Sequence, residues 1–150
     1  MSYAGEAPGV GAASPPIPGD HPIHRFYWEA VARRELQLLK CRGCGRFVHY
    51  PRPVCPRCLS EDLHPETISG RATLYSYSIV VQPGHPFFVD KVPYAIGVVE
   101  IEEEAGVRIP AGIDADESEL RCGIPMEVVF KQVTDTLVLP YFVPSRRQGE

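Results

Sequence analysis

Four cysteines carry the clearest chemistry in this 150-residue chain. They stand as two pairs, Cys41-Arg42-Gly43-Cys44 and Cys55-Pro56-Arg57-Cys58, ten residues apart. Two thiolates on one tight turn reach the same ion, and four of them fill the tetrahedral shell that zinc prefers. The residues between fit such a knuckle. Gly43 and Gly45 permit the required backbone, Phe47, Val48 and Tyr50 form a short apolar strand, and Pro51, Pro53 and Pro56 stiffen the return. Four sulfurs leave no position for water or substrate, so the expected zinc is structural and does no chemistry. His49 lies in the same segment and is the alternative to one thiolate. Two disulfides are the competing reading. Against them, the first twenty residues lack the basic start and apolar core of a secretory leader, and neither pair opens a helix, where a redox thiol would be activated.

Other reactive side chains form no recognisable constellation. The chain has no Gly-x-Ser-x-Gly elbow, Gly-rich phosphate loop, His-Glu-x-x-His or dinucleotide fingerprint. His21 borders the N-terminal tail, His24 opens the helical stretch, and His49 and His64 flank the ribbon. His85 alone sits in a loop where it can act as acid or base. Cys122, before Gly123, reads as a small packed residue, with Arg121 its one cationic neighbour. The expectation is a chain that is not an enzyme by itself, with no catalytic residue assigned.

The elements that position these groups follow from the pattern. Residues 1–23 are rich in Gly, Ala, Pro and Ser and read as a flexible tail or linker. Residues 24–63 read as a helix plus zinc ribbon: the helix from His24 to Leu36, then a short strand Gln37–Lys40 into the first knuckle. Residues 64–145 read as a β domain, entered through Ser69-Gly70. Its strands are Arg71–Gln82, Tyr94–Glu102, Val107–Ile113, Met126–Val133 and Leu137–Val143. Five strands with one long first strand suggest a closed OB-type barrel, since closure removes the edges of so small a sheet. Residues 146–150 read as a second tail. The fold class is therefore mainly β, with an N-terminal helix and ribbon before the barrel.

Charge is unevenly spread around a net −4. From His24 to Arg71 there are nine Lys and Arg against five Asp and Glu; from Asp90 to Leu120 there are two against nine. The basic ribbon half suits phosphate, in nucleic acid or in coenzyme A, although single surface charges contribute little. Asp114–Glu119 holds four acids without calcium-loop spacing and reads as a solvated loop. No apolar run approaches the roughly 20 residues that span a bilayer, and reduced thiols point to the cytoplasm.

Two aromatic clusters are contact candidates. Phe26, Tyr27 and Trp28 are too many for a free helix surface, so they pack on the chain's own core or dock on a partner. Phe87 and Phe88, after His85, either fold over the barrel mouth or meet a partner or ligand.

This order of features resembles the zinc-ribbon/OB-fold family associated with acyl-CoA metabolism. The likeness rests on the aromatic helix, the four-cysteine ribbon, Ser69-Gly70 entering the barrel, Pro93-Tyr94 opening one strand and Cys122-Gly123-Ile124-Pro125-Met126-Glu127-Val128 opening another. It covers roughly His24 to Pro144, and the family's metal positions fall on Cys41, Cys44, Cys55 and Cys58. The resemblance implies an accessory subunit of a thiolase-like enzyme of the lipid-transfer-protein type, in a hetero-oligomer. A similar domain, behind a MaoC-type hydratase domain, partners the aldolase that cleaves a steroid side-chain acyl-CoA to a ketone and propionyl-CoA. The tail resembles the linker of such a fusion. Two other readings remain open. One is a module for single-stranded nucleic acid, with Tyr75, Tyr77 and Phe87 as stacking platforms, which the acidic far half disfavours. The other is a free-standing acyl-CoA-binding protein.

Overall fold

The computed structural model describes residues 13–146, so of the tails expected over residues 1–23 and 146–150, residues 1–12 and 147–150 lie outside it, while Pro22 and Ile23 already belong to a helix. The first element is α1, Pro22–Ala32. His21 caps it, its Nδ1 accepting from the Ile23 N–H at 3.2 Å, and Pro22 supplies the fixed φ that suits the first helical position. The helix thus begins two residues before the expected start at His24 and ends four before Leu36. Its end is set by Arg34, which turns left-handed at φ 63°, while the Glu35 N–H returns to the Ala30 carbonyl at 2.9 Å. That closure satisfies a terminal carbonyl and sends Leu36 into the core.

Three short strands make the ribbon sheet: β1 (Gln37–Cys41), β2 (Phe47–Val48) and β3 (Leu63–Thr67), in the order β2-β1-β3. β3 runs antiparallel to β1 from Gln37↔Thr67 to Cys41↔Leu63. The barrel's own pairing starts at β4 (Arg71–Val80) and continues through β5 (Tyr94–Ile101), β6 (Arg108–Ile113), β7 (Pro125–Gln132) and β8 (Val138–Pro144). The strands close in the order β4-β5-β6-β8-β7. The seam is a parallel contact of only two residue pairs, Gly112↔Tyr141 and Ile113↔Phe142. Alternate residues of each strand face inward, and Leu74, Val99, Met126 and Phe142 are almost wholly buried. Gly70 enters the barrel at φ +77°, where a Cβ would lie 2.3 Å from Val128 Cγ1. Only glycine suits both the left-handed turn and the close approach.

Ribbon and barrel are tied by the turn after β5. Glu102 pairs with Arg71 at the start of β4. Glu103 Oε1 accepts from the Ser69 N–H at 2.6 Å. Glu104 reaches the ribbon, pairing with Arg46 at 2.5 Å and accepting from the Phe47 N–H at 2.7 Å. Partial burial opposes ionisation of Glu103, but hydrogen bonds from Ser69 outweigh it and hold the carboxyl below its ordinary range. Its contribution is therefore present above the ordinary glutamate range and is lost as pH falls through the lowered value. Glu104→Ala strands the Phe47 N–H, and a loss of about 1–3 kcal/mol is expected in urea denaturation. Hydrogen exchange at Phe47 should quicken in the same variant, with barrel amides unchanged.

Candidate metal centre and its surroundings

Each cysteine pair is shaped by its own backbone. In the first knuckle the Cys41 N–H donates to the Arg46 carbonyl and the Gly45 N–H to the Cys41 carbonyl, both at 2.8 Å. In the second, the Cys55 N–H donates to the Ser60 carbonyl at 2.9 Å and the Leu59 N–H to the Cys55 carbonyl at 3.0 Å. Both turns place the residue after the second cysteine in the left-handed region, Gly45 at φ 75° and Leu59 at φ 63°. Gly45 takes this conformation freely; Leu59 takes it with a Cβ, a conformation disfavoured by about 1–2 kcal/mol. Gly43 is confined differently: its Cβ position lies 3.1 Å from Ser60 Cβ and 3.3 Å from Cys58 Sγ.

The four sulfurs converge. Cys41 and Cys58 Sγ are 3.5 Å apart, Cys44 and Cys55 Sγ 3.7 Å, and all four lie within 4.8 Å of one another. A tetrahedral shell with Zn–S bonds of about 2.3 Å requires sulfurs about 3.8 Å apart. The spacing fits zinc, with every ligand from protein and no place for a substrate. Cys41 and Cys55 are buried, Cys44 half-buried and Cys58 exposed. Without metal the sulfurs share protons unequally. N–H groups of Cys58 and Arg57 lower the Cys55 thiol to about 6. At Cys58 the Ser60 N–H pulls down, but hydrogen bonding with Cys41 and the neighbouring thiols, together with desolvation, pushes it up to about 11. His49 is not among the clustered ligands; both its ring nitrogens are buried without a hydrogen-bond partner.

The helix aromatics divide between the modules. Phe26 packs on the ribbon cluster of Leu39, Cys41, Val48 and Cys55. Tyr27 packs on the barrel core, and burial pushes its phenol up to about 12. Trp28 stands edge-on to Tyr27 and borders an open cleft. The other candidates gather on a 3-10 turn, Pro86–Lys91, capped by His85 Nδ1, which accepts from the Phe87 N–H at 3.2 Å. Phe87 and Phe88 meet edge to face at 5.1 Å, Phe88 lies 5.3 Å from Tyr94, and Lys91 sits over Phe87. Both phenylalanines are half-buried. Cys122, expected to be packed, is exposed, because it lies in the tight turn before Gly123 at φ +93°. In the acidic loop Asp114 pairs with Lys131 at 2.6 Å, while Asp116 and Glu119 cap each other's backbone.

Sequence reasoning missed the glutamate ties at the barrel junction and the cleft beside Trp28. Gly112, with Tyr141 so close that a Cβ would lie 2.3 Å from its ring, is the sequence trace of that cleft's wall. Among the described residues no helix is long and apolar enough to cross a membrane.

A four-cysteine ribbon joined by an aromatic helix to a closed five-stranded barrel defines a zinc-ribbon/OB-fold protein. Residues 28–64 match the family described as the rubredoxin-like zinc ribbon domain of ChsH2, and residues 66–131 match its C-terminal OB-fold domain. A DUF35 domain-containing scaffold protein of Methanothermobacter thermautotrophicus is 32% identical over 111 residues, 72% of this chain and 81% of that protein. The chain belongs to this DUF35 family, with ChsH2-type domains. A probable enoyl-CoA hydratase alpha subunit of Thermomonospora curvata is 33% identical over 138 residues, which is 90% of this chain. The chain spans only 41% of that relative's length. A chain of the solved Ltp2-ChsH2(DUF35) aldolase superposes with a TM-score of 0.77 at 29% identity, covering 85% of this chain and 98% of that one.

Proposed function

We propose that this chain is a non-catalytic accessory subunit of a thiolase-like enzyme acting on acyl-CoA. The observation that carries the reading is its likeness to the DUF35 chain of an aldolase complex along nearly the whole of that chain. The metal chemistry agrees: a closed sulfur shell organises structure and offers no reactive position. In this reading the partner is a retro-aldolase of the lipid-transfer-protein type, and the substrate is a steroid side-chain acyl-CoA. The β-hydroxyl loses its proton, the Cα–Cβ bond breaks, and the electron pair forms the enolate of propionyl-CoA while the other carbon becomes a ketone. The enolate is then protonated. All of these steps belong to the partner; this chain fixes its assembly and covers its acyl-CoA channel. The hydratase name of the Thermomonospora curvata relative supports a MaoC-type hydratase domain, fused or associated.

The docking anchors in this proposal are Phe26, Tyr27 and Trp28 on α1 and His85, Phe87 and Phe88 on the loop before β5. Phe87 and Phe88 lie outside the buried core, so replacing both with Ser should leave the barrel folded. Loss of two aromatic anchors should weaken complex formation at least tenfold, read by titrating the partner. Unchanged affinity removes this loop from the interface.

The deciding experiment is co-expression with the thiolase-like protein encoded nearest to this gene, then assay of acyl-CoA cleavage with and without this chain. A stable complex that is active only with both chains supports the accessory role. A partner that works alone, with nothing co-purifying, refutes it.

A further inference from the structure

The four sulfurs of the metal centre are not equally sheltered. Cys41 and Cys55 are buried and Cys44 is half-buried, but Cys58 is exposed. Gly43 keeps that flank bare, since a Cβ there would lie 3.3 Å from Cys58 Sγ. Arg57, the residue before it, is also exposed and makes no ion pair among the described residues. A cysteine that holds a metal is already a thiolate, and the thiolate is the nucleophile. An accessible thiolate beside a cation is the kind that oxidants reach first.

A second sulfur stands ready to complete the reaction. Cys41 Sγ lies 3.5 Å from Cys58 Sγ, closer than the 3.7 Å between Cys44 and Cys55. The two belong to different knuckles, 17 residues apart in the chain, so a bond between them draws one ligand from each. Cys122, the other exposed cysteine, lies outside the sulfur cluster and has no such neighbour.

The ribbon is also where such a change would be felt. Apart from its cysteines, its cluster buries only Leu39 and Val48, with Phe26, Cys44 and Leu63 packed against it. Phe26 comes from α1, whereas Tyr27 of the same helix packs on the barrel core. Loss of the ion therefore loosens one side of the helix and leaves the other seated.

We propose that the ribbon is a peroxide-sensitive latch: hydrogen peroxide oxidises Cys58, Cys41 closes a disulfide with it, and the zinc site comes apart, freeing β1 to β3 and Phe26 while the barrel stays closed. The Cys58 thiolate attacks one peroxide oxygen. An S–O bond forms, the O–O bond breaks, and the leaving hydroxide takes a proton to become water. The Cys41 thiolate then attacks the Cys58 sulfur. The S–S bond forms, the S–O bond breaks, and the second hydroxide leaves as water. Two thiolates have lost two electrons and one peroxide has gained them. Cys44 and Cys55 alone remain to hold the ion, half of the shell that zinc prefers. A dithiol reductant reverses the disulfide and lets the site reload.

The test uses the zinc-loaded full chain without a partner, so it stands apart from the accessory reading. Hydrogen peroxide is added, released zinc is read with a chromogenic chelator, and disulfides are mapped by mass spectrometry. One zinc should be released per peroxide consumed and per Cys41–Cys58 disulfide formed. Hydrogen exchange should become fast across β1 to β3 and stay slow across β4 to β8, and dithiothreitol with zinc should restore the protection. Cys58→His keeps three cysteines and a histidine, a shell zinc accepts, and should hold its ion several-fold longer under the same peroxide. Cys122→Ser, which lacks the other exposed thiol, should lose zinc at the unaltered rate. The proposal is overturned if peroxide is consumed while zinc stays bound, or if the first disulfide joins any other two cysteines. It is equally overturned by zinc loss as fast in Cys58→His, by protection in Cys122→Ser, or by β1 to β3 remaining slow after the ion has gone. Should Cys58→His fail to load zinc, the disulfide map of the unaltered chain decides.

Discussion

Replacing Cys55 with Ser, or stripping zinc with a chelator, is expected to unfold the ribbon and leave the barrel closed. The four sulfurs are the centre of a small cluster in which Leu39 and Val48 are the other buried side chains. Beyond that cluster the segment from Gln37 to Thr67 buries only Leu38, which packs on the barrel core, and so few apolar groups cannot offset its ordering. Structural zinc supplies an apparent binding free energy of about 10–16 kcal/mol in zinc-finger peptides, which is the scale missing here. The barrel has its own core, including Leu74, Val99, Ile109, Met126 and Phe142. Metal analysis should fall from one zinc per chain to near zero in Cys55→Ser. Hydrogen exchange should become fast across β1 to β3 and stay slow across β4 to β8. Acid should act like the chelator, because zinc binds thiolates. The Cys55 thiol is depressed even without metal, to about 6, so the stability it contributes is present above the ordinary thiol range and is lost as pH falls through that value. Bound zinc moves the loss to lower pH still. A zinc-free chain with full protection of β1 to β3 would refute the structural role of the metal.

Phe142→Ala should destabilise the barrel by about 3–5 kcal/mol, the range for an aromatic removed from a closed core. Phe142 is fully buried and stands at the seam, where β6 and β8 meet over only two residue pairs. Its carbonyl accepts from the Asp114 N–H at 2.9 Å, so side chain and backbone close the cylinder together. Nearby side chains cannot fill the lost volume without opening that short contact. Urea denaturation should show the midpoint falling sharply. The ribbon, held by its metal, should retain zinc in the folded variant. A loss below about 1 kcal/mol would mean that the seam repacks and is not the weak line of the barrel.

Local chemistry made part of this protein legible from sequence. The spacing of Cys41, Cys44, Cys55 and Cys58 specifies a metal because a thiolate pair on one turn has no comparable alternative use without a redox helix. The barrel strands were readable because β-branched and aromatic residues recur between turns, and β4 to β8 fall within a few residues of the expected ranges. The helix was readable in type but not in extent. Its end depends on Arg34 turning left-handed, and the sequence offers no glycine there to announce it.

Long-range contacts decided the rest. From His64 the sequence reads as the β domain, yet Leu63–Thr67 pairs with β1 along its whole length, a register set between segments 26 residues apart at Lys40 and Glu66. Glu102, Glu103 and Glu104 fall between two expected strands, and like charges in sequence say nothing about the separate cations and N–H groups that the fold brings to them. Phe26 and Tyr27 are neighbours on one helix but serve different cores, because ribbon and barrel meet across it. Sequence by itself determined the four-cysteine cluster, the strand content and the class of fold, since each rests on residues close in the chain. Only tertiary structure decided how ribbon and barrel are joined and where the cleft opens. Those features come from surfaces that meet when distant segments pack, and hydrophobic burial sets that meeting without a local signature.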